Sequence, residues 1–296
     1  MTKRRPATIV GLLQRLITLW LRRWWVLVGL VLVVIVALLY LLMTSSASVQ
    51  VATFNIQDYP KSDGQAAGAL ELVDSLNVDI VGVQEITKPD VLDKNVELYL
   101  GEDWKVVHVE QEDVFRRLAI LYDTSSLTLV DSWSHDETAI YEGGRATLQA
   151  RFRTQSGRDD YLRVFVVHLK AFSDGQPIRR RQLRAIKPIV RAAVDSGETV
   201  VMVGDFNSTE LSDRAHITNF ADTTGLKWSS EDLECTAYWD RQFTCTGSSL
   251  DHILSTQSTD TISAGGACET VGCEPGNSCP SYVELLSDHC PIVAEF

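Results

Sequence analysis

The chain has 296 residues, of which 45% are hydrophobic and 22% charged, with 8 prolines and 18 glycines. That composition supplies enough apolar surface for a packed core and excludes disordered and fibrous classes. The 27 Lys and Arg against 39 Asp and Glu give a net charge of −12, spread unevenly.

Residues 1–43 carry six cations (Lys3, Arg4, Arg5, Arg15, Arg22 and Arg23) and no carboxylate. Removing those six from the 27 leaves 21 cations against 39 carboxylates, a net −18 for the rest of the chain. A body this acidic is poorly suited to nonspecific nucleic-acid binding, which needs Lys and Arg to displace counterions. It is not barred from processing a nucleic acid at a metal.

From Trp24 to Met43 no residue is charged. Twenty residues at ~1.5 Å each cross roughly the 30 Å hydrocarbon core. The pattern predicts a basic, amphipathic segment over 1–23, a transmembrane helix over 24–43 and a linker over 44–48. A cleaved signal peptide is one alternative, with Ser45 and Ala47 as small cleavage-site residues, but such apolar regions usually run about 7–15 residues. A buried soluble helix is the other, disfavoured by Arg22 and Arg23 abutting the stretch. Because every early cation precedes the span, the positive-inside rule places residues 1–23 in the cytoplasm. The expectation is a single-pass cell-membrane protein with its body on the exported side, periplasmic or extracellular.

The body, 49–296, shows no repeat or low-complexity tract and reads as one domain. Residues 49–56 (VQVATFNI) form a strand by alternation. Residues 64–77 form a helix, with Ala67, Leu70, Val73 and Leu76 at helical spacing. Strands follow at 79–85, 104–110, 118–123, 147–153 and 162–169. A long helix over 177–196 opens at Pro177 and is interrupted at Pro188. Strands at 199–207, 250–255 and 291–296 complete the pattern. Many strands with few helices between them predict two packed sheets covered by helices. Within the long helix, RRRQLR (179–184), Lys187 and Arg191 read as a solvated face rather than a phosphate patch. Arg117 and Arg145 flank strands, within possible reach of a phosphate.

All six cysteines (Cys235, Cys245, Cys268, Cys273, Cys279 and Cys290) lie in the last quarter. An even count on an exported domain predicts disulfides, with Cys235–Cys245 the favoured local pair. A zinc site built from the other four lacks any CxxC pair.

The chemistry is carried by where the polar residues fall. Apolar strands deliver Asn55, Glu85 (after Gln84), His168, Asp205 with Asn207, and Asp251 at or near their ends. Asp288 and His289 precede the last strand. Rigid strands hold such groups close to one another, as catalysis requires. Singly, each is an ordinary turn residue or core histidine; jointly they are a site.

The motifs TFNIQ (53–57), VGVQE (81–85), VVHLK (166–170), VGDFN (203–207), SLDHI (249–253) and SDHCP (287–291) occur in the order of the endonuclease/exonuclease/phosphatase superfamily, which the body resembles over about 49–296. The resemblance implies the DNase-I-like fold, an α/β four-layer sandwich of two mainly antiparallel sheets flanked by helices. It also implies metal-dependent hydrolysis of a phosphate ester, by a nuclease or a phosphodiesterase.

On that resemblance Glu85, Asp288 and Asn55 form the metal site, for Mg²⁺ with Mn²⁺ as substitute. Asp251 and His289 form a hydrogen-bonded pair. Asp205 or His289 handles the attacking water, and Asn207 and His168 donate to the phosphate. His108, His135, His216 and His252 read as structural or solvent-facing, with His252 pointing away from the site. The substrate class stays open between nucleic acid and lipid head groups or small phosphate esters. A non-catalytic binding module is the reading from another class. No feature of the sequence points to a protein partner.

Overall fold

The computed structural model describes residues 18, 20, 23–36, 48–109, 111, 114–155, 160–241, 243–259 and 261–296. The chain divides into two compact units, Met1–Ala47 and Ser48–Phe296.

In the first unit, residues 23–36 are helical. Among the described residues no helix is long and apolar enough to cross a membrane. The expected single-pass membrane placement therefore does not hold, and the exported-side assignment drawn from it falls with it. The remainder of the expected span, 37–43, and the linker up to 47 lie outside the described residues, as does most of the basic segment 1–23.

The second unit is built from two six-stranded sheets. In chain order the first sheet takes β1 (Gln50–Tyr59), β2 (Ile80–Ile86), β3 (Trp104–His108), β4 (Arg117–Asp123), β13 (Thr261–Ala264) and β14 (Ile292–Glu295). Their spatial order is β13-β14-β1-β2-β4-β3. The second takes β5 (Leu127–His135), β6 (Thr147–Thr154), β7 (Tyr161–His168), β8 (Thr199–Asp205), β9 (Lys227–Trp228) and β12 (Asp251–Ser255), in the order β5-β6-β7-β8-β12-β9. Each sheet is mainly antiparallel with one parallel pair, β1–β2 and β7–β8. A parallel pair needs a crossover. Helix α1 (Asp63–Ser75) makes the first and α3 (Gln176–Asp195) the second. Helices α2 (Pro89–Leu100) and α4 (Leu211–Thr224) complete the two outer layers.

Alternation along β1 shows how the sequence sorts the layers. Ala52, Phe54 and Ile56 pack outward against Leu70 and Val73 of α1. Val51 faces inward and joins Val164, Val166, Val201 and Val203 of the opposite sheet. Thr53 and Asn55 fall on the same inward side by period-2 geometry. Inward too is Gly82, where an added Cβ would lie 2.7 Å from Val203 and 2.8 Å from Val166. Only a glycine lets the sheets approach so closely there. On the other outer face Ile186, Val190, Ile217 and Phe220 pack on Phe165, Met202 and Leu254.

Two readings of α3 change. The helix runs through Pro188 without a break. Pro188 is exposed, so the carbonyl it leaves unpaired faces water, which lowers the cost of an interior proline. Arg179 is not on the solvated face: it is buried and pairs with Asp213 of α4 at 2.5 Å. It also donates to the carbonyls of Lys170 and Phe172. Arg180, Arg181, Arg184 and Arg191 are exposed.

The hairpin β10 (Ala237–Arg241) and β11 (Thr244–Ser248) projects beside the sheets. The short helices α5 (Gly266–Thr270) and α6 (Ser281–Leu285) follow β13. Three disulfides, Cys235–Cys273, Cys245–Cys279 and Cys268–Cys290, pin this region together. They replace both the expected Cys235–Cys245 pair and the zinc alternative. Proximity in sequence misled because Cys245 pairs across the hairpin with Asp240, while Cys235 lies before the hairpin begins.

Candidate active site

Three adjacent strands of the second sheet end level with one another. His168 closes β7 and pairs in register with Asp205 of β8, which in turn pairs with Asp251 of β12. All three follow inward-facing valines or precede an inward-facing isoleucine at period 2, so their side chains point between the sheets. His252, one residue on, points the opposite way: it bonds Ser208 at 2.7 Å and packs edge-on to Trp228 and Phe206. Burial pushes its pKa down to about 3, as befits a neutral core histidine.

The first sheet supplies the facing wall. Asn55 of β1 donates from Nδ2 to Asp205 Oδ2 at 3.1 Å, and its Oδ1 accepts from the Gln57 amide. Glu85 reaches the site by a backbone device. Alternation would send it outward with Val81 and Val83. A bulge in β2 and a positive φ of 66° at Glu85 itself turn it inward. Such backbone in a non-glycine residue costs on the order of 1–3 kcal/mol and gathers at functional sites. Glu85 Oε1 then lies 3.9 Å from His168 Nε2. Glu85 Oε2 accepts from the Asp58 amide at 3.1 Å and lies 3.2 Å from Arg116 Nε.

His289 arrives on the segment entering β14. Its Nδ1 donates to Asp251 Oδ2 at 2.8 Å, and its Nε2 lies 3.8 Å from Asp205 Oδ2. Ser287 holds the segment by donating to the Asn55 carbonyl and accepting from the His289 amide. Asp251 Oδ2 takes a second bond from Thr236, while its buried Oδ1 has no partner. Asn207, with a φ of 50°, sends its amide to Leu169 and its backbone N–H to Asp205 Oδ1 at 2.8 Å. Asp288 is half-buried at the rim.

Electrostatics separates the groups. For Asp205, burial is the largest effect and, with Asp251 beside it, lifts its pKa to about 7 against the pull of His289. For His289, burial opposes the charge, but Asp251 and Asp205 outweigh it and hold the imidazole well above its ordinary range. His168 goes the other way: burial, then Arg145, His289 and Arg116, keep it neutral and well below that range. At neutral pH the cluster therefore contains a cationic imidazole between two acids and a neutral one beside them.

The donor set suits a hard divalent cation. Glu85 Oε1 has no hydrogen bond among the described residues. Asp205, Asp251 and His289 also bring ligand-type atoms within 4.8 Å of one another. That trio is a weaker cage, because Nδ1 of His289 and Oδ2 of Asp251 already satisfy each other at 2.8 Å.

Sequence reasoning missed Arg116, Asp58, Thr236 and Ser287. Arg116 binds both oxygens of Asp58, at 2.5 and 2.7 Å, beside Glu85. It follows a short loop of ordinary composition, and no local signal marks it. Arg145 donates to the Arg116 carbonyl and its field reaches His168. Arg117 donates to the Val114 carbonyl.

Known structures with this fold are distant in sequence. One similar structure is D. rerio TDP2 complexed with a single strand DNA product (15% identity, 84% of this chain and 98% of that one, TM-score 0.66). Another is an endonuclease/exonuclease/phosphatase from Bacteroides vulgatus (18%, 84% and 98%, TM-score 0.63). The human Nocturnin catalytic domain with a bound sulfate anion is a third (17%, 84% and 93%, TM-score 0.60). At these identities the likeness establishes the fold. No sequence among curated proteins matches the chain. The profile of the Endonuclease/Exonuclease/phosphatase family matches residues 52–289. The chain therefore belongs to the endonuclease/exonuclease/phosphatase family, whose members are hydrolases of phosphate esters.

Proposed function

We propose that the chain is a Mg²⁺-dependent phosphodiesterase, with Mn²⁺ as a substitute ion. The observation that carries this reading is the meeting of Asn55 and Glu85 from one sheet with His168, Asp205 and Asp251 from the other, closed by His289. Glu85, Asp288 and Asn55 would hold the ion, which when bound supplies Lewis-acid polarisation of a phosphate oxygen.

The remaining work falls to the chain's own residues. Asp251 fixes the orientation of His289 and stabilises its cation, as in triad logic. Cationic His289 and the neutral His168 Nε2–H donate to nonbridging phosphate oxygens, and Asn207 offers its second amide proton there. Asp205, with a pKa near the operating pH, is the group suited to accept the water's proton. Water oxygen bonds to phosphorus, its proton passes to Asp205, and the ester P–O bond breaks. The leaving alkoxide takes up a proton from solvent and departs as an alcohol, leaving a phosphomonoester. The elevated pKa of His289 favours it as stabiliser over base.

The similarity to TDP2 holding a DNA product makes an oligonucleotide one substrate to test. The −18 body speaks against a nuclease dependent on nonspecific affinity. Hydrolysis of lipid head groups or small phosphate esters is the second reading, favoured by that charge. The experiment is a panel of bis-p-nitrophenyl phosphate, single-stranded DNA and head-group esters, each with Mg²⁺ and with EDTA. Metal-dependent turnover of at least one is expected. Absence of turnover on all three, or undiminished turnover in EDTA, would refute the reading.

A further inference from the structure

Beside the site, the β10–β11 hairpin and the segment 277–288 enclose an open cavity of about 650 Å³. That lies within the range of small-molecule sites, roughly 300–1,000 Å³. It meets the catalytic cluster through Gln57 and Asp288. The Cys245–Cys279 disulfide ties one wall to the other. Such a space is pre-formed rather than assembled on binding.

Its lining has a definite chemistry. Trp239 is 39% exposed there and is braced edge-on by Phe172 at 6.4 Å. Asp240, Glu284 and the amide of Asn277 share the same space. Among the described residues of the lining, Lys61 is the one cation, and it already donates to Gln57. Even with Asp288 given over to a metal, two carboxylates line the cavity against one ammonium, while the Arg241 guanidinium, outside the lining, lies 5.5 Å from the Trp239 ring centroid.

Like charge repels a phosphate from this space. Ionised carboxylates only accept hydrogen bonds, so an occupant must bring donors. Hydroxyl groups bring them without charge, and an exposed indole face covers the C–H face of a ring. We propose that the cavity is the specificity subsite and takes a neutral, hydroxyl-rich ring, a sugar or cyclic polyol, esterified through a single phosphodiester. The inference rests on the phosphodiesterase reading. The phosphorus lies at the Glu85–His289 cluster while the ring lies against Trp239. A polynucleotide, with a phosphate on either side of each sugar, is a poor occupant.

The test is made first without catalysis. In EDTA, the indole N–H resonance of Trp239 in the full chain, assigned by W239F, is followed during titration with myo-inositol and with inositol trisphosphate. The neutral polyol should shift it with a Kd on the order of millimolar, and the trisphosphate at least about tenfold more weakly. The D240N/E284Q double variant should erase that discrimination. Equal or tighter binding of the trisphosphate, or no shift with either, would overturn the proposal. Hydrolysis of bis-p-nitrophenyl phosphate, whose rings carry no hydroxyl donors, should change far less in D240N/E284Q than hydrolysis of an inositol phosphodiester. A wild-type chain inert on that ester with Mg²⁺ counts against the phosphodiesterase reading, whereas the polyol titration decides the subsite.

Discussion

Asp251 and His289 meet at 2.8 Å although one begins a strand of the second sheet and the other precedes a strand of the first. Their bond ties the two halves of the sandwich at the point where the chemistry is placed. Replacing Asp251 by Asn should leave the fold intact and cut kcat by about 10²–10⁴-fold, the scale seen when a buried acid no longer orients its imidazole. His289→Ala should cost a similar factor, and the D251N/H289A double variant little more, because residues acting as a unit are non-additive. Losses that multiply would show that the two act independently.

Glu85 offers a free carboxylate oxygen to an ion. Glu85→Gln should weaken Mg²⁺ binding, measured by calorimetry, by about tenfold or more, with a matching loss of activity that high Mg²⁺ partly restores. Arg116→Ala removes a competing cation from the other oxygen, which keeps its bond from the Asp58 amide. It should alter Mg²⁺ affinity far less than Glu85→Gln does. Unchanged affinity in Glu85→Gln would move the metal elsewhere.

The metal-free protein should lose stability as pH rises above neutrality. His289, held above its unfolded pKa, contributes stability that is full below about 6.5 and lost as pH rises through its folded value. Asp205, raised to about 7, contributes in the same sense between about 3.9 and 7. His168 and His252, both depressed, act oppositely and lose their contribution only as pH falls below about 6.5. Asp205 still adds to the slope for about one unit above pH 7, and beyond that His289 alone of these sets it. Thermal melts in EDTA should therefore show Tm falling from pH 7 to 9, and Mg²⁺ should flatten the fall. A rising Tm over that window would contradict the cationic imidazole.

Arg179 and Asp213 are a buried pair joining α3 to α4, and Arg179 also holds the loop that follows His168. Asp213→Ala leaves a buried guanidinium without its partner. Urea unfolding should show destabilisation by about 3–5 kcal/mol. A change below 1 kcal/mol would mean the pair is dispensable.

Cys290 follows His289 directly and is bonded to Cys268. The Cys268→Ser/Cys290→Ser variant should lower kcat, because the segment placing His289 loses its covalent anchor. Asn55 and Asp205, held by the sheets, should keep their geometry. Undiminished activity would assign the anchoring to Ser287 and Thr236 instead.

Strand and helix existence was legible in the sequence wherever alternation or helical spacing was strong, as in β1, β7, β8 and α1. The strand-end location of His168, Asp205 and Asp251 was legible too, and period-2 geometry fixes which residues share a face. What could not be read locally was decided by packing over long separations. Glu85 enters the site through a left-handed backbone that alternation forbids. Arg116 gains its role only because β4 lies next to β2. Arg179 leaves the solvated face because Asp213, 34 residues away, waits beneath it. The cysteine pairs follow the fold of segments 22–38 residues apart, not the nearest neighbour. The apolar stretch after Trp24 shows the converse: its hydropathy fits a membrane span, yet among the described residues no helix is long and apolar enough to cross a membrane. Local pattern set the elements and their faces; register, bulges and charge burial between distant segments set the site.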